Sequence, residues 1–154
     1  LLPIRTCAVI EPQEHGYPPS TYTPQVCVGA IVTRTNELLL VRRNTEPGRG
    51  RWSVPGGRVE PGETLAEAVL RELEEETSVV GVCGPMIGWT EIIDAHHHFV
   101  ILDFEVTALH GGQPVAGSDA QEAAWVPVWT VPELDLVDGL AEFLADHGII
   151  ETIT

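Results

Sequence analysis

The sequence predicts an α+β domain in which a mixed β-sheet lies between helices. Two apolar, β-branched runs near positions 26–33 and 38–43 are typical of paired strands. From position 64 the apolar residues follow a helical period, and further strand-like runs and a second amphipathic stretch come after it. The order strands, helix, strands, helix indicates an α/β/α layered arrangement.

The first 24 residues are rich in proline and polar side chains, and they predict an irregular lead-in arm. We expect residues 25–154 to form one domain, because the composition changes at position 25 and no internal repeat follows. The runs VCVGAIVT and LLLVRR are separated only by TNE, so they predict a hairpin of buried strands.

The next segments alternate between turns and regular elements. WSVP predicts a short extended piece, and PGGRVEPGE predicts a turn-dense connection. Thr64 is followed three residues later by Glu67, which is the pattern of a capping box, so we expect the helix to begin at Thr64.

Three more elements are expected after the helix. VVGVCGPMIGWTEII and HHFVILDFEVTAL predict strands, GGQPVAGSDAQEA a loop and WVPVW a short strand. LVDGLAEFLADHG predicts a C-terminal amphipathic helix whose apolar face is formed by Leu136, Leu140, Phe143 and Leu144.

The charge balance excludes some classes of partner. The 154 residues carry 23 acidic and 8 basic side chains, a formal net charge of −15. Such a surface repels nucleic-acid polymers and anionic membranes. The three cysteines show no paired spacing, and no apolar run approaches the roughly 18 residues of a membrane span, so we expect a cytoplasmic protein.

The stretch RELEEETS places four carboxylates within five positions of the predicted helix. At about 100° per residue, Glu72, Glu75 and Glu76 share one face, whereas Glu67 and Glu74 point the opposite way. Like charges at this spacing repel by about 0.2–0.5 kcal/mol per pair. A hard divalent cation such as Mg²⁺ or Mn²⁺ would relieve the repulsion, and a solvated charged face is the alternative.

The residues around these glutamates resemble a known motif. From Gly57 to Val79, GRVEPGETLAEAVLRELEEETSV is similar to the Nudix box of the Nudix hydrolases at eight of nine fixed positions. Ser78 stands where the family has glycine, which would supply a left-handed helix end. The resemblance implies the family's sandwich fold, and the whole chain looks closest to bacterial members that include ADP-ribose pyrophosphatases.

The resemblance also implies roles for individual residues. The carboxylates of the shared face would bind the metal together with a backbone carbonyl, and two further residues would support and orient them. The implied ligands are Glu72, Glu75, Glu76 and the carbonyl of Gly57, and the supporting residues are Glu63 and Arg71. Metal ions would neutralise two phosphates and activate a water for attack on phosphorus.

Substrate contacts are expected from a local basic patch. Five of the eight arginines fall between positions 42 and 58, and Arg43, Arg51 and Arg58 are candidates to hold a phosphate. Surface ion pairing is the alternative for each of them. His98, which precedes an apolar strand, is a candidate polar contact to the substrate.

The general base is left open by the sequence. It could be Glu72 within the motif, or an acidic residue on a late loop, for which Glu122 is slightly preferred over Asp119. Either loop acid could reach a metal-bound water from the side opposite the helix.

Three functions remain in competition. The first is a metal-dependent pyrophosphatase acting on ADP-ribose or a similar nucleotide sugar. The second is a nucleoside-triphosphate pyrophosphatase that removes oxidised nucleotides, and the third is a nucleotide-binding module without turnover. In each case we expect a small-molecule nucleotide partner and a monomer or homodimer.

Overall fold

The computed structural model describes residues 23–110 and 112–151. Residues 1–22 of the predicted lead-in arm lie outside the described residues. Within the described ranges, no helix is both long and apolar enough to cross a membrane.

Seven strands of the described ranges form one sheet. They are β1 (Gln25–Arg34), β2 (Glu37–Arg43), β3 (Trp52–Ser53), β4 (Gly56–Arg58), β5 (Gly81–Ile93), β6 (His98–Ala108) and β7 (Ala120–Pro127). The main order is β3-β2-β1-β6-β5, with β4 paired to β1 and β7 paired to β2. Only the β1–β6 pair is parallel among these described pairings, so the sheet is mixed, as the sequence predicts.

Among the described residues, two α-helices cover the sheet, α1 (Leu65–Thr77) and α2 (Leu140–Asp146), and a short 3-10 helix spans Val131–Glu133. Alternate residues of β1 supply two separate cores because successive strand side chains point to opposite faces. The α1 core contains Val28, Ala30, Val32, Val69 and Leu73. The α2 core contains Ile31, Leu38, Leu40, Phe143 and Leu144. The predicted α/β/α sandwich is therefore confirmed.

Three predicted elements need correction. The GGR stretch at 56–58 is strand β4 and not part of a turn, because glycines let it lie close against β1. Strand β7 begins at Ala120, six residues after Pro114, so Glu122 lies in a strand and not in a loop. Helix α2 begins only at Leu140; Leu136 is buried in the same core but precedes the helix.

Helix α1 begins and ends as its sequence indicates. The Thr64 hydroxyl accepts from the Glu67 amide at 3.2 Å, and the Glu67 carboxylate accepts from the Thr64 amide at 2.8 Å, which confirms the capping box. The helix ends at Ser78, whose φ of 60° is left-handed and whose amide donates to the Glu74 carbonyl. Ser78 thus takes a left-handed conformation that glycine adopts more easily. The Cβ of serine crowds the backbone in this conformation, and glycine has no Cβ.

Ser78→Gly should raise the free energy of unfolding by up to about 1 kcal/mol. Removing the Cβ relieves about 1–2 kcal/mol of left-handed strain, and the greater freedom of glycine in the unfolded chain takes back about 0.4–1 kcal/mol. Urea denaturation measures the difference. Ser78→Ala is the matched control, since it removes only the hydroxyl that donates to the Val115 carbonyl at 3.3 Å. A glycine variant no more stable than the alanine variant would contradict the strain.

Candidate functional site

The carboxylate of Glu72 lies directly against β4. A Cβ added at Gly57 would collide with Oε1 of Glu72, so any larger residue at 57 would displace this carboxylate. The Glu72 side chain is only 14% exposed. Glycine at this position therefore allows the Glu72 carboxylate to lie against the backbone of β4. A ligand bound by both α1 and β4 requires this close approach.

Arg71 ties the acidic residues together. Its guanidinium donates two hydrogen bonds to Glu63 at 3.0 and 2.6 Å, one to Glu72 at 2.9 Å and one to Glu75 at 3.2 Å. It also donates to the backbone carbonyl of Arg58 in β4 at 3.0 Å. These contacts fix α1 to β4 and orient Glu72 through charge-assisted hydrogen bonds.

The same contacts decide which groups are charged. Hydrogen bonds from Arg71, and one from the Glu60 amide, hold the pKa of Glu63 below its usual value. The pKa of Arg71 is raised, mainly by Glu63, so the guanidinium stays cationic. Glu63 thus supplies a permanent negative charge that keeps Arg71 in place beside Glu72.

Glu76 lies deeper than its neighbours. Its Oε2 accepts from the Gly56 amide at 3.1 Å. Burial nevertheless raises the pKa of Glu76 to about 8, and the neighbouring Glu72 adds to the effect. Burial also raises the pKa of Glu72, against the influence of Arg71. Both carboxyls resist ionisation in the protein alone, and a nearby cation would favour their charged forms.

The three glutamates do not converge as they stand. In the described part of the chain, no three His, Cys, Asp or Glu residues form a cluster ready to hold a metal ion. Glu75 is turned toward Arg71 and its side chain is 57% exposed, whereas Glu76 is directed at Gly56. Glu72 and Glu76, beside the Gly56–Gly57 backbone, are hard oxygen donors that fit a divalent cation, and Glu75 would have to turn from Arg71 to join them.

The two candidate loop acids occupy different places. Asp119 is close enough to raise the pKa of both Glu72 and Glu76. Its backbone carbonyl accepts from the Asn44 amide at 3.1 Å, which fixes the turn before β7. Glu122 lies opposite Arg42 within the β2–β7 pair.

The predicted substrate arginines have different surroundings. Arg43 lowers the pKa of Glu76, and its Nε donates to the Pro47 carbonyl at 2.7 Å. Arg51 forms ion pairs that tie it to the segment before α2, at 3.2 Å to Asp135 and 3.0 Å to Asp138.

The other two predicted contacts lie at the start of β6. The Arg58 guanidinium lies 5.8 Å from the centre of the Phe99 ring. His98 Nε2 is 2.9 Å from a Glu91 carboxylate oxygen, across the β5–β6 pair. The roles of Arg43, Arg51, Arg58 and His98 in substrate binding stay predictions.

Two polar groups of interest escaped the sequence analysis. The Gly56 amide binds Glu76, but a backbone donor leaves no mark on residue type. Asp103 is a buried carboxyl in β6, and the only hint of it was an acid at the centre of the largely apolar run VILDFEV.

Comparison with known proteins identifies the family. The profile of the NUDIX domain matches residues 23–147. The chain belongs to the Nudix family. An ADP-ribose pyrophosphatase of Methanocaldococcus jannaschii is 35% identical over 113 residues, covering 72% of this chain and 66% of the relative. An 8-oxo-dGDP phosphatase of Homo sapiens is 29% identical over 107 residues, covering 70% of this chain and 33% of that protein.

The solved structures agree on the fold. A MutT protein from Methanosarcina mazei Go1 superposes with a TM-score of 0.75 and 24% identity, covering 84% of this chain and 96% of that one. At this identity the similarity concerns the Nudix fold alone. The chain spans about two thirds of the archaeal relative and one third of the human one, so neither relative's whole activity transfers directly.

The raised pKa of Glu76 predicts a stability that falls with pH in metal-free protein. The folded state holds a proton up to about pH 8, whereas an unfolded glutamate loses it near the ordinary value of 4.5. Folding therefore loses free energy as the pH rises through this window. Glu76→Gln keeps the shape without titrating, so its stability relative to the parent should grow between about pH 5 and 8.

Urea denaturation in EDTA across that range measures the difference. Glu74→Gln is the matched control, because Glu74 is exposed on the opposite side of α1. Parallel pH profiles for the parent and Glu76→Gln would show that Glu76 carries no burial penalty.

Proposed function

We propose that this chain hydrolyses the pyrophosphate bond of a nucleoside diphosphate derivative, with ADP-ribose or a similar nucleotide sugar as the first candidate. The observation that supports this most directly is the position of the Glu72 carboxylate, oriented by Arg71 and seated on Gly57 beside Glu76. The similarity to an archaeal ADP-ribose pyrophosphatase favours this substrate class.

The reaction depends on a divalent cation, as it generally does in Nudix hydrolases, and we propose Mg²⁺ or Mn²⁺. The ligands would be Glu72, Glu75, Glu76 and the carbonyl of Gly57. Bound there, the cation supplies charge neutralisation for the phosphates and a lowered pKa for the attacking water. Carboxylate and carbonyl oxygens are the donors that such hard cations prefer.

The protein's own groups do the positioning. Arg71 favours the ionised form of Glu72 and prevents this side chain from turning away, while the Gly56 amide holds one oxygen of Glu76. Arg43 adds positive charge on the same side, where a substrate phosphate can meet it. We assign proton removal from the water to Asp119, because its charge acts on both Glu72 and Glu76. A backbone hydrogen bond from Asn44 also holds Asp119 in the turn before β7.

A second candidate has its own support. The similarity to a human 8-oxo-dGDP phosphatase favours oxidised guanine nucleotides, whether as diphosphates or as triphosphates. A nucleotide-binding module without turnover would keep the fold but not need the fixed carboxylates. The cytoplasmic location and the monomeric or homodimeric state remain predictions from the sequence.

A product panel separates these functions. Purified protein is incubated with Mg²⁺ or Mn²⁺ and either ADP-ribose, 8-oxo-dGDP or 8-oxo-dGTP, and the products are resolved by chromatography. AMP with ribose 5-phosphate identifies the first function, and 8-oxo-dGMP identifies the second. Tight binding with no product from any compound would contradict the proposed hydrolysis.

Glu72→Gln should lower kcat by orders of magnitude and raise the cation concentration needed for half-maximal rate. The amide keeps the size of the side chain but removes the charge that Arg71 orients. Glu74→Gln, on the exposed opposite side of α1, is the control and should keep the parent rate. Equal losses in both variants would mean that the active face of the helix is misassigned.

Asp119→Asn should depress kcat by roughly 10²–10⁴-fold, the usual contribution of a general base. The cation concentration for half-maximal rate should change little, since Asp119 is not among the proposed ligands. Glu122→Gln is the paired comparison and should be nearly silent, because Glu122 lies opposite Arg42 in the β2–β7 pair. The reverse pattern would return the base assignment to Glu122.

A further inference from the structure

One row of paired residues crosses four strands of the sheet with almost no side chains. Gly56 of β4 pairs with Gly29 of β1, Gly29 pairs with Asp103 of β6, and Asp103 pairs with Gly88 of β5. Three of the four positions are glycine, so the carboxyl of Asp103 is the row's own polar side chain. We call these four residues the glycine row.

The carboxyl of Asp103 is buried, and in the described part of the chain one of its oxygens lacks a hydrogen-bond partner. The residue is 5% exposed, and its Oδ1 has no hydrogen-bond partner among the residues that the structure describes. The carboxyl lies over Gly29, where an added Cβ would collide with Oδ1 and approach Val54 within 3.2 Å. An unpaired polar group in such surroundings costs about 1–3 kcal/mol or more.

Burial raises the pKa of Asp103 to about 6, against a smaller opposite influence of His147. Oδ1 of Asp103 is therefore a buried acceptor without a hydrogen-bond partner among the described residues. A valine or leucine would fill the position without this cost. A buried carboxyl with an oxygen that lacks a hydrogen-bond partner is therefore a candidate for contact with a ligand.

His147 lies beside the same row. Its Nε2 lies 2.7 Å from the position a Cβ on Gly88 would take, so the ring covers that glycine. Its Nδ1 is 2.8 Å from the Phe143 carbonyl oxygen, which can only accept, so Nδ1 carries a proton. The ring is thereby fixed over Gly88, and a ligand that reaches Oδ1 of Asp103 must bring a donor.

The glycine row connects this acceptor to the proposed site of hydrolysis. At its other end, the Gly56 amide holds Glu76. Gly56 and Asp103 are two strands apart, about 9–10 Å at ordinary strand spacing. A nucleotide whose diphosphate lies beside Glu76 and Gly57 can extend its nucleoside over this distance, since Gly29, which lies between Gly56 and Asp103, has no side chain of its own.

We propose that Asp103 is a specificity-determining residue, whose carboxyl accepts a hydrogen bond from the nucleoside part of the substrate, the amino group of a purine base being the donor. This rests on the proposed function for the location of the diphosphate, but it concerns recognition of the nucleoside and not the chemistry. A ribose hydroxyl could offer the same kind of donor, and the test separates the two sources.

The test measures binding of nucleoside monophosphates by calorimetry in the presence of Mg²⁺. AMP is compared with purine-riboside 5′-monophosphate, which lacks the amino group, and with 2′-deoxy-AMP. The parent protein should bind AMP about 10- to 100-fold more tightly than the purine analogue, the range expected for a hydrogen bond to a charged group. Asp103→Ala and Asp103→Val should both lose this preference.

Two apolar replacements guard against a folding defect, because valine suits a buried strand and alanine leaves the site open. Glu105→Ala is the matched control: Glu105 is an exposed acid two residues along the same strand and should leave the AMP preference unchanged. With ADP-ribose, the Asp103 variants should raise KM and keep kcat within a few fold.

The outcomes are distinct. A parent protein that does not prefer AMP over the purine analogue, or Asp103 variants that keep the preference, would overturn the proposal. An equal loss of affinity for all three nucleotides would mean that Asp103 is only structural, which also overturns it. A preference for AMP over 2′-deoxy-AMP, with none over the purine analogue, would overturn the base as the donor and assign that role to the ribose.

Failure of the proposed hydrolysis leaves a different mark. Asp103-dependent preference for AMP without turnover of ADP-ribose would support the recognition and refute the reaction.

Discussion

The Arg71 guanidinium is the interaction on which the site depends. Helix α1 carries four glutamates in five positions, and their mutual repulsion opposes both the helix and its contact with the sheet. Arg71 answers both problems, since it binds Glu63, Glu72 and Glu75 while it also bonds the Arg58 carbonyl of β4. One side chain thus fixes the helix to the strand and decides which way Glu72 faces.

Close approach between α1 and β4 is the second requirement, and glycine meets it. The Glu72 carboxylate occupies the space that a Cβ on Gly57 would need, and Gly56 presses its Cα region against Val28 and Gly29 of β1. Because β4 has only three residues, its backbone groups near Gly56 remain available to the carboxylates. The backbone of β4 therefore belongs to the site as much as the side chains of α1 do.

The sequence predicted those parts of the fold that local pattern determines. The capping box and the hairpin follow from spacing of a few residues, and the structure has both. Strand β4 was missed because its pairing with β1 is non-local and glycine has low strand propensity. The predicted start of strand β7, at Trp125, is too late. AQEAA has no β-branched residue to indicate a strand, but its pairing with β2 makes it one.

The site shows the same division. Glu72, Glu63 and Arg71 could be assigned from a resemblance, because their contacts lie within one helix and the turn before it. The separation of Arg43 from Arg51, and of Asp119 from Glu122, depends on how β2, β7 and the segment before α2 come together. Residue type alone cannot tell which of several nearby arginines or acids faces a cleft.

Glu76 and Asp103 together suggest how stability is distributed between the free and the bound protein. Burial raises the pKa of both, and Asp103 has no hydrogen-bond partner within the described ranges for its Oδ1. Each group therefore destabilises the ligand-free fold at neutral pH. A cation beside Glu76, or a donor on Asp103, would remove that cost on binding, so part of the binding free energy is stabilisation of the fold.

The way in which binding stabilises the fold differs between Glu76 and Asp103. At Glu76 the compensation is electrostatic, so any divalent cation of suitable size can provide it. At Asp103 the compensation needs a hydrogen-bond donor at one place, and a ligand without it leaves a buried carboxylate unpaired. A site that must hydrogen-bond rejects an analogue lacking the donor more strongly than an apolar pocket rejects a missing methylene. Binding of the phosphates therefore does not depend on the nucleoside, whereas the nucleoside is selected at Asp103, two strands away from Gly56.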